Sequence, residues 1–237
     1  MTEPPRRRFL SASWRNLILA NYTVPDELLT PLLPPGLDLD RHDGRAYCSL
    51  VGFQFQDTRV LGIPWPGFRR FPEWNLRFYV RRGDERGVVF VREFVPQWLV
   101  TAVARLIYNE PYRAARMTES VTDTPDSVTA SYTVAWAGRV YTMRATGSKP
   151  AVTPGPGTVE HFFKEQSWGF GVTRRGRLLR YEVTHPEWAV YPVRDFHTDA
   201  DWAALYGPAW AGMTGRAPDS VVLAVGSAVG VYPHGRA

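Results

Sequence analysis

Two stretches of this chain read as strands of a buried sheet and yet carry charged side chains. Around Trp14-Arg15-Asn16-Leu17 the pattern from Ser13 to Tyr22 alternates as a strand does, with an Arg inside it. From Glu73 to Arg82 the alternation puts Trp74, Leu76, Phe78 and Val80 on one face and Glu73, Asn75, Arg77 and Tyr79 on the other. A buried carboxylate must pair or take up a proton, and a buried guanidinium must find acceptors. The fold therefore has to let Arg15, Glu73 and Arg77 satisfy one another as ion pairs, or arrange them around a pocket for a small acidic molecule. The pattern leaves both open. Arg suits the second, because a guanidinium clamps a carboxylate through two parallel hydrogen bonds.

The rest of the chain is rich in strand patterns. Pro25 at a first helical turn, with Asp26 and Glu27 behind it, opens a short helix that buries Leu28, Leu29, Leu32 and Leu33 and stops at Pro34-Pro35-Gly36. Arg45 to Phe55 reads as a buried strand, and Pro64-Trp65-Pro66-Gly67 as loop. Gly83-Asp84-Glu85-Arg86-Gly87 turns the Glu73 strand back into Val88 to Val91, which predicts an antiparallel pair. Trp98 to Tyr108 has helical spacing, ended by Pro111. Strands follow at Arg113 to Thr122, Val128 to Ala135 and Arg139 to Thr146, the last two joined at Ala137-Gly138. Thr158 caps a short helix through Gln166. Trp168 to Thr173 and Leu178 to Thr184 flank a turn at Arg174 to Arg177; Asp199 to Tyr206 reads as a helix with Trp202 and Leu205 inward; Val221 to Val225 and Ala228 to Val231 are the last strands. The expected class is mainly β, a large antiparallel sheet system closed or half closed into a barrel, with two to four peripheral helices. Residues 1–9 are expected to be a loose tail and 10–237 a single domain, since no repeat or composition shift divides them.

Composition narrows the function classes. With 237 residues and 44% hydrophobic content the chain can bury a sizeable core, and its 20 Gly and 20 Pro, scattered rather than clustered, fit many turns. Cys48 is the only cysteine, so an internal disulfide and a Cys-rich zinc site are ruled out; in its apolar surroundings it reads as a small buried hydrophobe. No run approaches the ~20 apolar residues of a membrane helix, and no signal-peptide core opens the chain, so no membrane partner and a cytoplasmic location are expected. The charge of +5 is carried by arginines that, apart from Arg6-Arg7-Arg8, are spread along the chain, which argues against nucleic acid. Aromatic runs such as Phe162-Phe163 leave room for a homodimer.

Standard catalytic motifs are missing: there is no phosphate loop, dinucleotide fingerprint or nucleophile elbow. His42, His161, His185, His197 and His234 do not fall at zinc-ligand spacing, so neither a metal nor a cofactor is expected. Lys149 and Lys164 are the only lysines. Lys164 beside Phe162 and Phe163 could be a desolvated amine, but it reads better as an exposed helix lysine facing Glu160 or Glu165.

Several segments together resemble a known family. Arg15-Asn16-Leu17 with Tyr22, the Pro25-Asp26-Glu27-Leu28 helix and Leu33-Pro34-Pro35-Gly36-Leu37 are the first of them. Glu73-Trp74-Asn75-Leu76-Arg77, Pro111-Tyr112-Arg113-Ala114-Ala115-Arg116, Val159-Glu160-His161-Phe162-Phe163 and His185-Pro186-Glu187-Trp188 complete the match. They resemble the bacterial domain of unknown function 2071, a family similar in fold to acetoacetate decarboxylase, whose β-rich barrel holds a polar cavity. The resemblance implies that Arg15 meets a substrate carboxylate and that Glu73 lines the cavity. The decarboxylase's Pro-Lys-Lys segment is Pro111-Tyr112-Arg113 here, and neither Tyr nor Arg forms an imine with a ketone, so Schiff-base decarboxylation is not expected. What the resemblance leaves is a cavity for a small carboxylate or oxo compound. Glu73 and Tyr112 are its catalytic candidates, and Arg15, Arg77, Arg113 and Arg116 are candidates to hold the ligand. The alternative is a non-catalytic interaction or sensing module whose cavity is filled by aromatic side chains.

Overall fold

The computed structural model describes residues 8–64, 69–98, 101 and 111–233. In chain order the strands are β1 (Leu10–Thr23), β2 (Asp38–Leu39), β3 (Arg41–His42), β4 (Arg45–Val60), β5 (Ile63–Pro64), β6 (Phe71–Arg82), β7 (Glu85–Val95) and β8 (Tyr112–Ala114). They continue with β9 (Arg116–Asp123), β10 (Ser127–Trp136), β11 (Arg139–Ser148), β12 (Trp168–Val172), β13 (Leu178–Thr184), β14 (Val190–Tyr191), β15 (Val193–Thr198) and β16 (Ser220–Pro233). Three short α-helices are described, α1 (Asp26–Leu29), α2 (Val159–Lys164) and α3 (Trp202–Tyr206). Of the helix expected over Trp98 to Tyr108, Trp98 and Thr101 are described and helical and the rest lies outside the described residues; of the loop expected at Pro64 to Gly67, Pro64 instead ends β5 and the rest lies outside them.

The large sheet runs β6-β4-β1-β16-β13-β12-β7, and β7 pairs back onto β6, so the hydrogen-bonded circuit closes into a ring. Its pairings are antiparallel except β12 with β7, and β8 adds to β7 in parallel as well. A second sheet, β15-β11-β10-β9, packs against the outside of the ring. Its central hairpin turns at Ala137 (φ 49) and Gly138 (φ 80), the paired positive dihedrals that match the twist of the flanking strands. The stretch read as one strand from Arg113 to Thr122 is in fact two: β8 belongs to the ring and β9 to the second sheet. The last two expected strands are one, β16, while β14 and β15 have no counterpart in the sequence reading.

The two faces of the ring hold different cores. Outward, Ile18, Ala20 and Tyr22 of β1, Leu50 of β4, and Trp74, Leu76 and Phe78 of β6 join Tyr132, Tyr141 and Met143 of the second sheet and Trp202 of α3. Gly52 shows how close the sheets come, since a Cβ there would lie 2.6 Å from Met143 Cε. Inward, Leu17, Leu19, Val51, Phe53, Phe55, Tyr79 and Val222 surround Phe162 and Phe163 of α2. The Thr158 hydroxyl caps α2 by accepting from the His161 amide, and Asp201 caps α3 by accepting from Ala204, as those residue types predict.

Candidate functional site

The alternation of β6 directs Glu73, Asn75, Arg77 and Tyr79 into the ring. On β4 the register puts Phe53 opposite Glu73, Val51 opposite Asn75 and Ser49 opposite Arg77. On β7 it puts Glu93 opposite Asn75, and the parallel ladder sets Tyr112 of β8 beside Glu93. Two carboxyl groups, a phenol, an amide and a guanidinium thus share one enclosed face, and Glu73 and Glu93 are each only 2% exposed.

Glu73 is the centre of this cluster. Its Oε1 accepts from Asn75 Nδ2 at 2.9 Å and its Oε2 from the Tyr112 hydroxyl at 3.0 Å. Burial pushes its carboxyl up from 4.5 to about 7; the hydrogen bonds of Asn75, Tyr112 and Glu93 and the Arg77 charge pull it back only in part. Glu93 shares the same enclosed face, opposite Asn75, and two carboxyl groups held this close out of water favour a state in which they hold a proton between them. The Tyr112 phenol is driven well above its ordinary range by burial and then by the charges of Glu73 and Glu93, so it stays a donor. A carboxyl that exchanges its proton near neutrality, aligned by a phenol, can act as a general acid or base.

Arg77 sits further along the same face. Its Nη2 donates to the Phe163 carbonyl at 3.0 Å, while its buried Nε has no hydrogen-bond partner among the described residues. Tyr79, beside it, is 2.5 Å from Ser49 Oγ, and Ser49 in turn donates to Asn21 Oδ1 at 2.5 Å. The inner face therefore continues from the carboxyl pair into a polar chain that ends at the aromatic plug of α2.

The other predicted ligand-holding residues do not join this face. Arg15 stands in register with Gln54, which points outward between the inward Phe53 and Phe55. Trp14, its neighbour, is the inward side chain and packs on Phe53 and Trp188. The phase of β1 changes at Asn16, whose φ of 54 makes a bulge, and β16 changes with it at Gly226, φ 81. Arg15 donates instead to the Gly226 carbonyl at 3.4 Å. Arg113 follows Tyr112 on β8 and so points outward beside Phe94, and Arg116 is exposed on β9. Lys164 is buried rather than exposed: its Nζ lies 2.5 Å from Glu165 Oε1 and 3.7 Å from Glu187 Oε1. Glu93 lies beyond the Val88 to Val91 strand of the sequence reading because β7 changes phase there: Val88 and Phe90 face into the ring, a bulge at Val91 opposite Leu76 and Arg77 shifts the alternation by one, and Glu93 and Val95 then face in. Among the described residues no three His, Cys, Asp or Glu side chains converge as metal ligands, and no helix is long and apolar enough to cross a membrane.

A ring of strands with a smaller sheet packed outside is the fold of the acetoacetate decarboxylase-like proteins. Acetoacetate decarboxylase from Legionella pneumophila superposes with a TM-score of 0.63, covering 100% of this chain and 91% of its own at 15% identity. The enduracididine biosynthesis enzyme MppR, with HEPES bound, gives 0.66 over 99% of this chain and 87% of its own, also at 15% identity. Other structures of MppR hold pyruvate, or the condensation product of pyruvate and imidazole 4-carboxaldehyde. Within that fold the chain belongs to the DUF2071 family, described as an uncharacterized conserved protein, whose model matches residues 11–228. The uncharacterized protein YqjF of Bacillus subtilis is 33% identical over 106 residues, a match that spans 44% of each chain.

Proposed function

We propose that the interior of the ring binds a small organic acid or oxo compound and moves a proton next to its carbonyl. Glu73 is the acid or base, Tyr112 the hydroxyl donor to the developing oxyanion, and Arg77 the cation that holds a carboxylate. The observation that carries this reading is Glu73 itself, a buried carboxyl pushed up to about 7 and tied to Tyr112 at 3.0 Å. The pyruvate held by MppR supports small oxo acids as the substrate class. Imine chemistry is not part of the proposal, because Lys164 is engaged by Glu165 and Tyr112 stands in the segment that resembles the decarboxylase's lysine pair.

A second reading is favoured by α2. Phe162 and Phe163 pack on Tyr79 at 5.3 Å, and Phe163 on Tyr47 at 5.1 Å, so aromatic rings occupy part of the interior. On that reading the protein is a non-catalytic sensing or interaction module. Proton exchange separates the two. Pyruvate in deuterated buffer, followed by NMR, should lose its methyl protons faster with the wild type than in buffer, and Glu73→Gln should slow this about a hundredfold or more. Exchange at the buffer rate, with no melting-temperature shift across a panel of small carboxylates and oxo acids, would transfer the assignment to the second reading.

A further inference from the structure

The outer face of the β7–β8 ladder carries two arginines that the inner-face chemistry does not use. Arg113 stands in register with the outward Phe94, and Arg92, two residues before Phe94, lies on the same face. The diagonal of a two-strand ladder brings such long side chains within reach of each other. Both are half-buried. Among the described residues their hydrogen bonds go to backbone carbonyls: Arg92 Nη1 to Leu205 at the end of α3, and Arg113 Nη1 to Tyr112 at 3.0 Å. Among the described residues no carboxylate forms an ion pair with either. Burial and then the Arg113 charge weaken Arg92's hold on its proton; among the described residues Tyr206 acts the other way and no acidic side chain offsets them. Two like charges taken partly out of water without a counter-charge are costly, and an anion relieves both the repulsion and the desolvation.

We infer that Arg92 and Arg113 form a site for a small multiply charged oxyanion of the phosphate class. Guanidinium forks match the oxygens of such an anion, and a dianion balances the pair where a monocarboxylate would leave a net charge. Phe94 and Tyr206 give the site an apolar flank. The site lies behind the face that holds Tyr112 and Glu93 and stands independently of the function proposed for that face.

Thermal melts test it. At about 10 mM, inorganic phosphate should raise the wild-type melting temperature by about 3 °C above sodium chloride of equal ionic strength, if it binds with millimolar affinity. Arg113→Gln should lose that shift while melting in chloride at or somewhat above the wild type, because it relieves the repulsion on Arg92 and, among the described residues, gives up a side-chain bond to the neighbouring carbonyl alone. Arg113→Lys, which keeps the charge and loses the fork, should keep a smaller shift. A parallel arm with glycerol phosphate tells the two sources apart: a larger shift than inorganic phosphate assigns the site to an esterified phosphate, and a smaller one to the free ion. A phosphate shift equal in wild type and Arg113→Gln, or one that chloride reproduces at the same ionic strength, overturns the inference.

Discussion

Replacing Glu73 with Gln removes a carboxyl group whose burial costs more as pH rises. In the unfolded chain the carboxyl ionises near 4.5, and in the fold burial moves this to about 7. Between those values the unfolded chain has released a proton that the folded chain still holds, so stability falls as pH climbs from 4.5 to about 7 and levels off above it. At about 1.4 kcal/mol per pH unit, the gap between 4.5 and about 7 amounts to about 3 kcal/mol. Glutamine carries no such penalty. It can still accept from Tyr112 or Asn75, so its cost at low pH is that of imperfect hydrogen bonds, and only the pH-dependent part of the comparison is diagnostic. The stability of Glu73→Gln relative to wild type should therefore rise by up to about 3 kcal/mol between about pH 4.5 and pH 8. For a chain of this size that corresponds to a relative gain of about 6–12 °C in melting temperature. Urea denaturation at four or five pH values, fitted for both proteins, measures it and cancels the titrations of groups that Glu73 does not touch, while any change in Glu93 is part of the measured difference. A difference that stays flat, or shrinks with rising pH, would mean that the carboxyl is solvated or fully compensated, and the proton-transfer role would go with it.

Two further outcomes test other parts of the structure. Gly226→Ala should be among the most damaging single substitutions, because the residue combines φ 81 with a Cβ position 2.1 Å from the Trp14 carbonyl oxygen; a loss above about 3 kcal/mol in urea denaturation is expected, and a change below about 1 kcal/mol would contradict the coupled phase change of β1 and β16. Treatment with pyruvate and borohydride should leave the Lys164 peptide without added mass, since Lys164 is buried against Glu165; a stable adduct on that peptide would establish imine chemistry in place of the route through Glu73.

How much of the site could be read from the sequence depended on whether a strand kept its phase. Along β6 it does: the period of two from Phe71 to Tyr79 is unbroken, and so the placing of Glu73 and Arg77 on one face survives into three dimensions. Along β1 it does not. Arg15, Leu17, Leu19 and Asn21 have the spacing of a single face, yet one bulge residue at Asn16 shifts every side chain before it by one position, so Trp14 enters the ring and Arg15 leaves it. An Asn with positive φ is the kind of residue that tolerates this bend, but nothing in β1 alone requires it to bend. The reason lies 210 residues away by chain number, in Gly226, where β16 changes phase at the same level because only a glycine can approach the Trp14 carbonyl so closely. The resemblance that made Arg15 an anion clamp was carried by residue type and spacing, and neither records a change of face. Arg77 was legible for the opposite reason, since its position depends on one strand and needs no distant partner to define it. It follows that the cation facing Glu73 inside this ring is supplied by β6, the strand that also supplies the carboxyl. Cation and carboxyl are therefore held at a spacing set by four residues of one extended backbone, which moves less than a gap between two strands would.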